Sequence, residues 1–400
     1  MAGISAAEAG ARTLVLEKTR RPGTKILMSG GTRCNITHAT DDRGIVEAYG
    51  PPGRSLHSAL AAFGVEDCLA FFDAEGVATK VEETGKVFPV SDRAADVLAV
   101  LVARLERSGA VLSLEEPLLS MEPHEGGWLL RTGKGERRAR RVILTVGGKS
   151  YPGSGTTGDG YSICERLGHT IIPPRPALVP ITTGAQWVAE LRGLTIPDTF
   201  VRVVEDGSCL ASRRGSLLFA HFGLSGPVIL DVSRAVSGHP SPGKLHLEID
   251  WLPNEKEAAL DERLRIETSS AGKKGLAAVL SSMLPRRLGE ALLARCGWPA
   301  DRKGAGLSKP ERAELAAAIK RLRVPVAGTL GFGRAEVTAG GVALDEVDSR
   351  TMESKKARGL HLAGELLDLD GPIGGYNFQA AWSTGWLAGL KAATAALAES

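Results

Sequence analysis

Apolar residues Val97, Leu98, Leu101, Val102 and Leu105 recur at the three- and four-residue spacing of one buried helical face. Ser91 ahead of them can cap a helix that runs through Arg107 and stops at Gly109. Three short strand-like runs follow, at 111–114, 118–122 and 128–132, with turns at 124–127 and 133–135. Residues 141–146 read as a further apolar strand ending at Gly147 and Gly148. At the start of the chain, 2–9 predict a helix stopped by Gly10, and 13–16 a strand with Glu17 at its end. Toward the other end, a strand over 359–363 and a helix over 378–396 bracket a glycine-rich loop.

The texture changes at Pro173, where three prolines fall within four residues, and β-like runs such as 200–204 and 244–249 continue to Trp251. Residues 253–323 are rich in Ala, Leu and charge and predict helices, after which 337–344 leads back toward the tail. This order predicts an α/β fold. A Rossmann-like FAD/NAD(P)-binding domain takes residues 1–176 and 345–400, a β-barrel-like domain takes 177–252 and 324–344, and a helical insertion takes 253–323. A chain of 400 residues exceeds the roughly 250–300 at which single cores stop growing, so several domains are expected.

The loop within AGELLDLDGPIGGYNFQAAWSTG, residues 363–385, carries the most chemistry. A strand, a glycine-rich loop and a helix start at the edge of a parallel sheet put backbone N–H groups and a positive helix end beside an anion or an electron-rich ring. Flavin sites need that arrangement. Its other half is a GxGxxG turn with an acid roughly 20 residues on that binds the adenosine ribose, a place Glu17 suits. Counting back from Glu17 puts those glycines before Met1, so the first strand and its turn are expected outside this sequence. The GSGTTG run at 153–158 matches GxGxxG, but Pro152 and several loop residues separate it from the preceding strand. It opens no separate nicotinamide fold, and the helix after it is expected to aim its N-terminus at cofactor or substrate.

The segments PGTKILMSGGTRCNIT (22–37), GGKSYPGSGTTGDGYSICERLGH (147–169), FAHFGLSGPVILDVSR (219–234) and VTAGGVALDEVDSRTMESK (337–355), with the tail, resemble the NAD(P)/FAD-dependent oxidoreductases of the BaiN or HI0933-like group. The resemblance spans nearly the whole chain. In that family a Met often sits two residues after the last motif glycine, so Met1 resembles an internal Met. The resemblance implies FAD as cofactor, with NAD(P)H admitted as electron donor without a fold of its own. It places Glu17, Lys18, Lys25, Gly30, Gly31, Arg33, Asn35, Gly147, Gly148, Gly364, Glu365, Asp370, Gly374, Gly375, Tyr376 and Asn377 around the cofactor. Cys34 is the first candidate for the acid that protonates a reduced C=C bond, followed by Tyr376 and His221. On this reading Cys34→Ser keeps its flavin and turns over slowly.

Composition narrows the classes further. No apolar run approaches the roughly 18 residues of a membrane span, and the opening residues lack a signal-peptide pattern, so a cytoplasmic location is the default. The five cysteines form no CxxC pair and the eight histidines no HExxH, so neither a disulfide framework nor a metal site is expected. Residues 273–323 hold twelve Lys and Arg against four acids, while the whole chain is only +3. That is either a solvated helical surface or a footprint for an anionic partner such as RNA. Three functions stay open: reduction of a small unsaturated molecule, modification of a base in structured RNA, and a cofactor-poor relic without activity. Substrate and oligomeric state are not written in the sequence.

Overall fold

The computed structural model describes residues 1–270 and 274–399, which form two compact units. One comprises Met1–Pro176 and Glu336–Ser400, the other Ala177–Ala335.

In the first unit, strand Leu14–Leu16 pairs in parallel with Val111–Ser113, and Val142–Leu144 pairs in parallel with Leu360–Leu362. Parallel neighbours require long crossovers. The first crossover ends in helix Ala94–Arg107, which buries Ala94, Val97 and Leu101 against Cys34, Ile36, Phe63 and Phe72. The helix starts three residues after the expected Ser91 cap because Asp92 adopts φ 54° and turns the chain before it. A three-stranded antiparallel meander, Leu118–His124, Gly127–Thr132 and Gly135–Ala139, leads to the second parallel pair. Its third strand was invisible to the pattern because its sequence, GERRA, offers no apolar side.

Strand Ile171–Ala177 pairs with Val337–Val342 in a two-stranded sheet, an edge setting in which prolines are admitted. All six residues of Val337–Val342 are buried, and Val342 also bridges to Leu367. Residues 336–344, expected in the inserted β domain, therefore pack with the first unit. The 23-residue helix Tyr376–Ala398 completes this unit, with Gly389 admitting the Ala2–Glu8 helix to close approach.

The second unit holds a seven-stranded antiparallel sheet in the spatial order Leu322–Pro325, His246–Asp250, Thr195–Glu205, Ser208–Ala220, Gly223–Ser225, Ile181–Thr182, Gly328–Thr329. Its outer strands do not pair with each other, so the sheet is open where a barrel-like closure was expected. Helix Pro227–Ser237, also unforeseen among the β-like runs, starts at a Gly–Pro step and buries Val228, Ile229, Val232 and Val236. The helices of 253–323 share one core with this sheet. Leu260, Leu264, Leu288, Leu292, Leu315 and Ile319 pack with Val201, Leu217, Phe219 and Trp251.

The surplus of positive charge in 273–323 is roughly halved once partners outside that window are included. Arg312 pairs with Asp261 at 3.4 Å, Arg321 with Glu257 at 2.9 Å and Arg323 with Glu248 at 3.5 Å. Lys320 is buried, 2.7 Å from Asp250, and donates to two backbone carbonyls. Within the window, Arg286 pairs with Glu290 and Arg302 with Glu311. Lys273 lies outside the described residues. Half of the window's cations are thus committed to carboxylates, as a solvated helical face commonly shows.

Candidate functional site

Glycine turns and short polar side chains converge in the first unit. The turn after strand Val142–Leu144 carries Gly147 at φ 74° and a buried Gly148. Among the described residues, the amides of Gly147 and Gly148 meet no protein acceptor, whereas the next two amides, of Lys149 and Ser150, donate to the Thr338 hydroxyl. Unsatisfied N–H groups at such a turn are donors for a ligand.

Beside this turn, Gly364 takes φ 70° and gives its amide to the Thr384 hydroxyl at 3.0 Å. Glu365 follows, with one carboxylate oxygen accepting the Thr338 amide at 2.8 Å and the other pairing with Lys25. Two residues 340 apart in sequence, both expected at the cofactor, thus meet directly. Glu17, at the end of strand Leu14–Leu16, accepts the Thr19 amide and hydroxyl through one oxygen, both at 2.7 Å. The other oxygen has no hydrogen-bond partner among the described residues. Lys18 reaches across to Asp159 at 2.6 Å and Thr157 at 2.7 Å, which ties the 153–158 loop to the end of that strand.

The second half is built where segment 30–38 lies along the start of the C-terminal helix. Thr37 donates to Gln379 at 2.6 Å, and the Trp382 indole donates to the Ile36 carbonyl at 3.0 Å. Gly374 and Gly375 take φ 128° and 98°, and Gly375, the N-cap, offers no side chain to the first N–H groups of the helix. Among the described residues the amides of Asn377 and Phe378 meet no protein acceptor. Tyr376 stacks on His38 with ring centroids 4.5 Å apart and planes 21° from parallel. The His38 Nδ1 lies 3.0 Å from the Gly374 carbonyl, which can only accept, so that nitrogen carries the proton. Asn377 is held by the Gly371 amide and carbonyl, and the Tyr49 hydroxyl donates to the Tyr376 carbonyl. Burial, and after it the nearby buried Asp370, pushes the Tyr49 phenol well above its ordinary value.

Several expected residues sit differently. Cys34 is fully buried inside the cluster of Ile4, Ile36, Phe63, Cys68 and Phe72. A backbone φ of 62° turns it into the core, and burial pushes its thiol up to about 11. Cys34→Ala should therefore lower stability by about 1–2 kcal/mol through lost packing. Re-oxidation per bound flavin should be unchanged, and a slower rate at full occupancy would return the residue to the chemistry. Arg33 is committed to Glu82 at 2.6 Å and lies over the Phe88 ring. Gly30 and Gly31 are exposed, while Asn35 is buried with its side-chain oxygen unbonded. His221 belongs to the second unit, exposed and edge-on to Phe222. His38 and Thr338 were missed, although Thr338 lies inside VTAGGV and His38 directly follows the 22–37 run. Among the described residues no group of three or more His, Cys, Asp or Glu is placed to hold a metal, and no helix is long and apolar enough to cross a membrane.

Free glycine amides, an uncapped long helix and a half-used carboxylate at a strand end fit a dinucleotide with a ring at one end. The comparisons agree. The model of the HI0933-like protein Rossmann domain matches residues 1–391. A ribosomal RNA dihydrouridine synthase of Escherichia coli is 34% identical over 385 residues, covering 95% of this chain and 92% of that protein. A 3-dehydro-bile acid delta(4,6)-reductase of Clostridium scindens is 32% identical over 402 residues, covering 98% and 96%. Among solved structures, an E. coli quinol fumarate reductase superposes with a TM-score of 0.50 at 15% identity, covering 100% of this chain and 69% of that one, a likeness of fold alone.

Proposed function

We propose that this chain, which belongs to the HI0933-like Rossmann-domain family and is a flavin-dependent oxidoreductase, reduces a polarised C=C bond in a small molecule. One observation carries the reading. Two relatives that align over nearly all of this chain bear different names, a bile-acid reductase and a dihydrouridine synthase, and both names describe adding two hydrogens to an unsaturated substrate.

Bound flavin supplies the hydride for the carbon remote from the activating carbonyl. The chain must then hold the cofactor, seat the substrate over the ring, and deliver a proton to the neighbouring carbon. Holding falls to the Gly147–Gly148 turn, Lys25, Glu365 and the start of the helix at Tyr376. Proton delivery falls to Tyr376, which is half-buried, so its surface is open to a ligand, and whose ring is fixed by the His38 stack. We take NADH or NADPH as the donor that reduces the flavin.

The test is anaerobic. The flavin is reduced with dithionite, a cyclic enone is added, and return of the oxidised flavin spectrum is followed with the formation of saturated product. Re-oxidation should track enone concentration, and NADH or NADPH should replace dithionite. Reduction of a base in structured RNA is the second reading, drawn from the name two relatives carry. Flavin that is inert to enones but re-oxidised by ribosomal RNA, with RNA binding that falls steeply with salt, would replace the first reading by the second.

A further inference from the structure

We propose that Thr338 is a positioning residue of the flavin site, whose hydroxyl sets the conformation of the glycine turn that receives the cofactor; this rests on the placement of the flavin site argued above. Thr338 is fully buried, so it acts through other residues. Its hydroxyl oxygen accepts the Lys149 amide at 2.8 Å and the Ser150 amide at 2.9 Å. A hydroxyl has two acceptor positions, and both are now filled. Its hydrogen is left for the Ser150 hydroxyl oxygen, 2.8 Å away. The Thr338 amide in turn donates to Glu365 at 2.8 Å, and Glu365 pairs through its other oxygen with Lys25. One residue thereby joins the 147–150 turn, the 364–365 loop and Lys25.

The joint has little freedom to shift. A Cβ on Gly148 would stand 2.7 Å from the Thr338 Cβ and 2.9 Å from the Glu365 carboxylate, so glycine is the residue that fits against this pair. On the strand carrying Thr338, Gly340 and Gly341 take φ 86° and 138°, and side chains there would run into the backbone carbonyls of Ile172 and Leu366. With the strand pinned on both sides, the hydroxyl is a fixed acceptor. By taking the amides of Lys149 and Ser150 it leaves those of Gly147 and Gly148 as the turn's available donors.

Two substitutions separate this role from packing. Thr338→Val keeps the volume and loses the acceptor, while Thr338→Ser keeps the acceptor and loses a methyl. The proposal expects Thr338→Val to weaken FAD binding about tenfold or more, measured by quenching of flavin fluorescence, and Thr338→Ser to stay within about threefold of the native protein. Packing alone predicts the reverse order. Thr338→Val with native affinity, or Thr338→Ser as weak as Thr338→Val, overturns the role. Should Thr338→Val fail to fold, amide exchange in the native protein decides. The Lys149 and Ser150 amides should exchange slowly before FAD is added, and those of Gly147 and Gly148 should slow only afterwards. Equal exchange of all four without FAD overturns the proposal, and a native protein that takes up no FAD overturns the site with it.

Discussion

Gly375→Ala should yield a protein that purifies without flavin and is less stable by about 3 kcal/mol, the sum of roughly 1–2 for a left-handed backbone at a residue with a Cβ and 1–3 for overpacking. Gly375 takes φ 98° and ψ −10°, and a Cβ there would overlap the Thr37 carbonyl. Neither wall can yield. Thr37 is locked to Gln379, and the neighbouring Ile36 carbonyl is held by Trp382. Relief can come only by moving the start of the C-terminal helix, which carries the N–H groups assigned to the cofactor. A urea titration should show a lower midpoint with unchanged slope. Gly31→Ala is the control. Its φ is 68°, but no atom lies within 4 Å of the added Cβ, so only the backbone cost of about 1 kcal/mol remains. A yellow Gly375→Ala protein with the native midpoint would mean that this turn is not shaped as described.

The parts of this site legible in the sequence are those written locally. A strand, glycines and a helix can be read from neighbouring residues, and so the tail loop and Glu17 at its strand end could be named from pattern, and the Gly147–Gly148 turn through the family resemblance. Direction and pairing could not. Cys34 sits among glycines beside the expected ring, yet a single positive φ turns its side chain into the core. Lys25 and Glu365 were each expected at the cofactor, but their meeting spans 340 positions and depends on how the crossovers fold. Thr338 gave no signal because a threonine in an apolar run reads as strand filler, and only the amides of Lys149 and Ser150 reveal its task. The basic window misled for a related reason. Counting charge along the chain stops at arbitrary edges, whereas Asp250, Glu257 and Asp261 offset part of it from outside.

Tyr376→Phe should leave flavin content and the stack on His38 intact and slow re-oxidation of reduced flavin by a cyclic enone about 100-fold or more, the usual scale of general-acid catalysis. The phenyl ring keeps the 4.5 Å stack, and the backbone carbonyl still accepts from Tyr49, so the substitution removes the hydroxyl together with any contact it makes. His38→Ala is the companion variant. It removes the ring that fixes Tyr376 and the contact to the Gly374 carbonyl, so it should lower the rate while leaving the hydroxyl present. A donor role then predicts a solvent-deuterium effect on the native reaction that grows in Tyr376→Phe, where a slower proton transfer from water limits the rate. If Tyr376→Phe instead re-oxidises at the native rate with the same deuterium effect, Tyr376 only seats the helix start. The proton would then come from solvent or substrate, because the full burial of Cys34 keeps it from reaching a ligand in this arrangement.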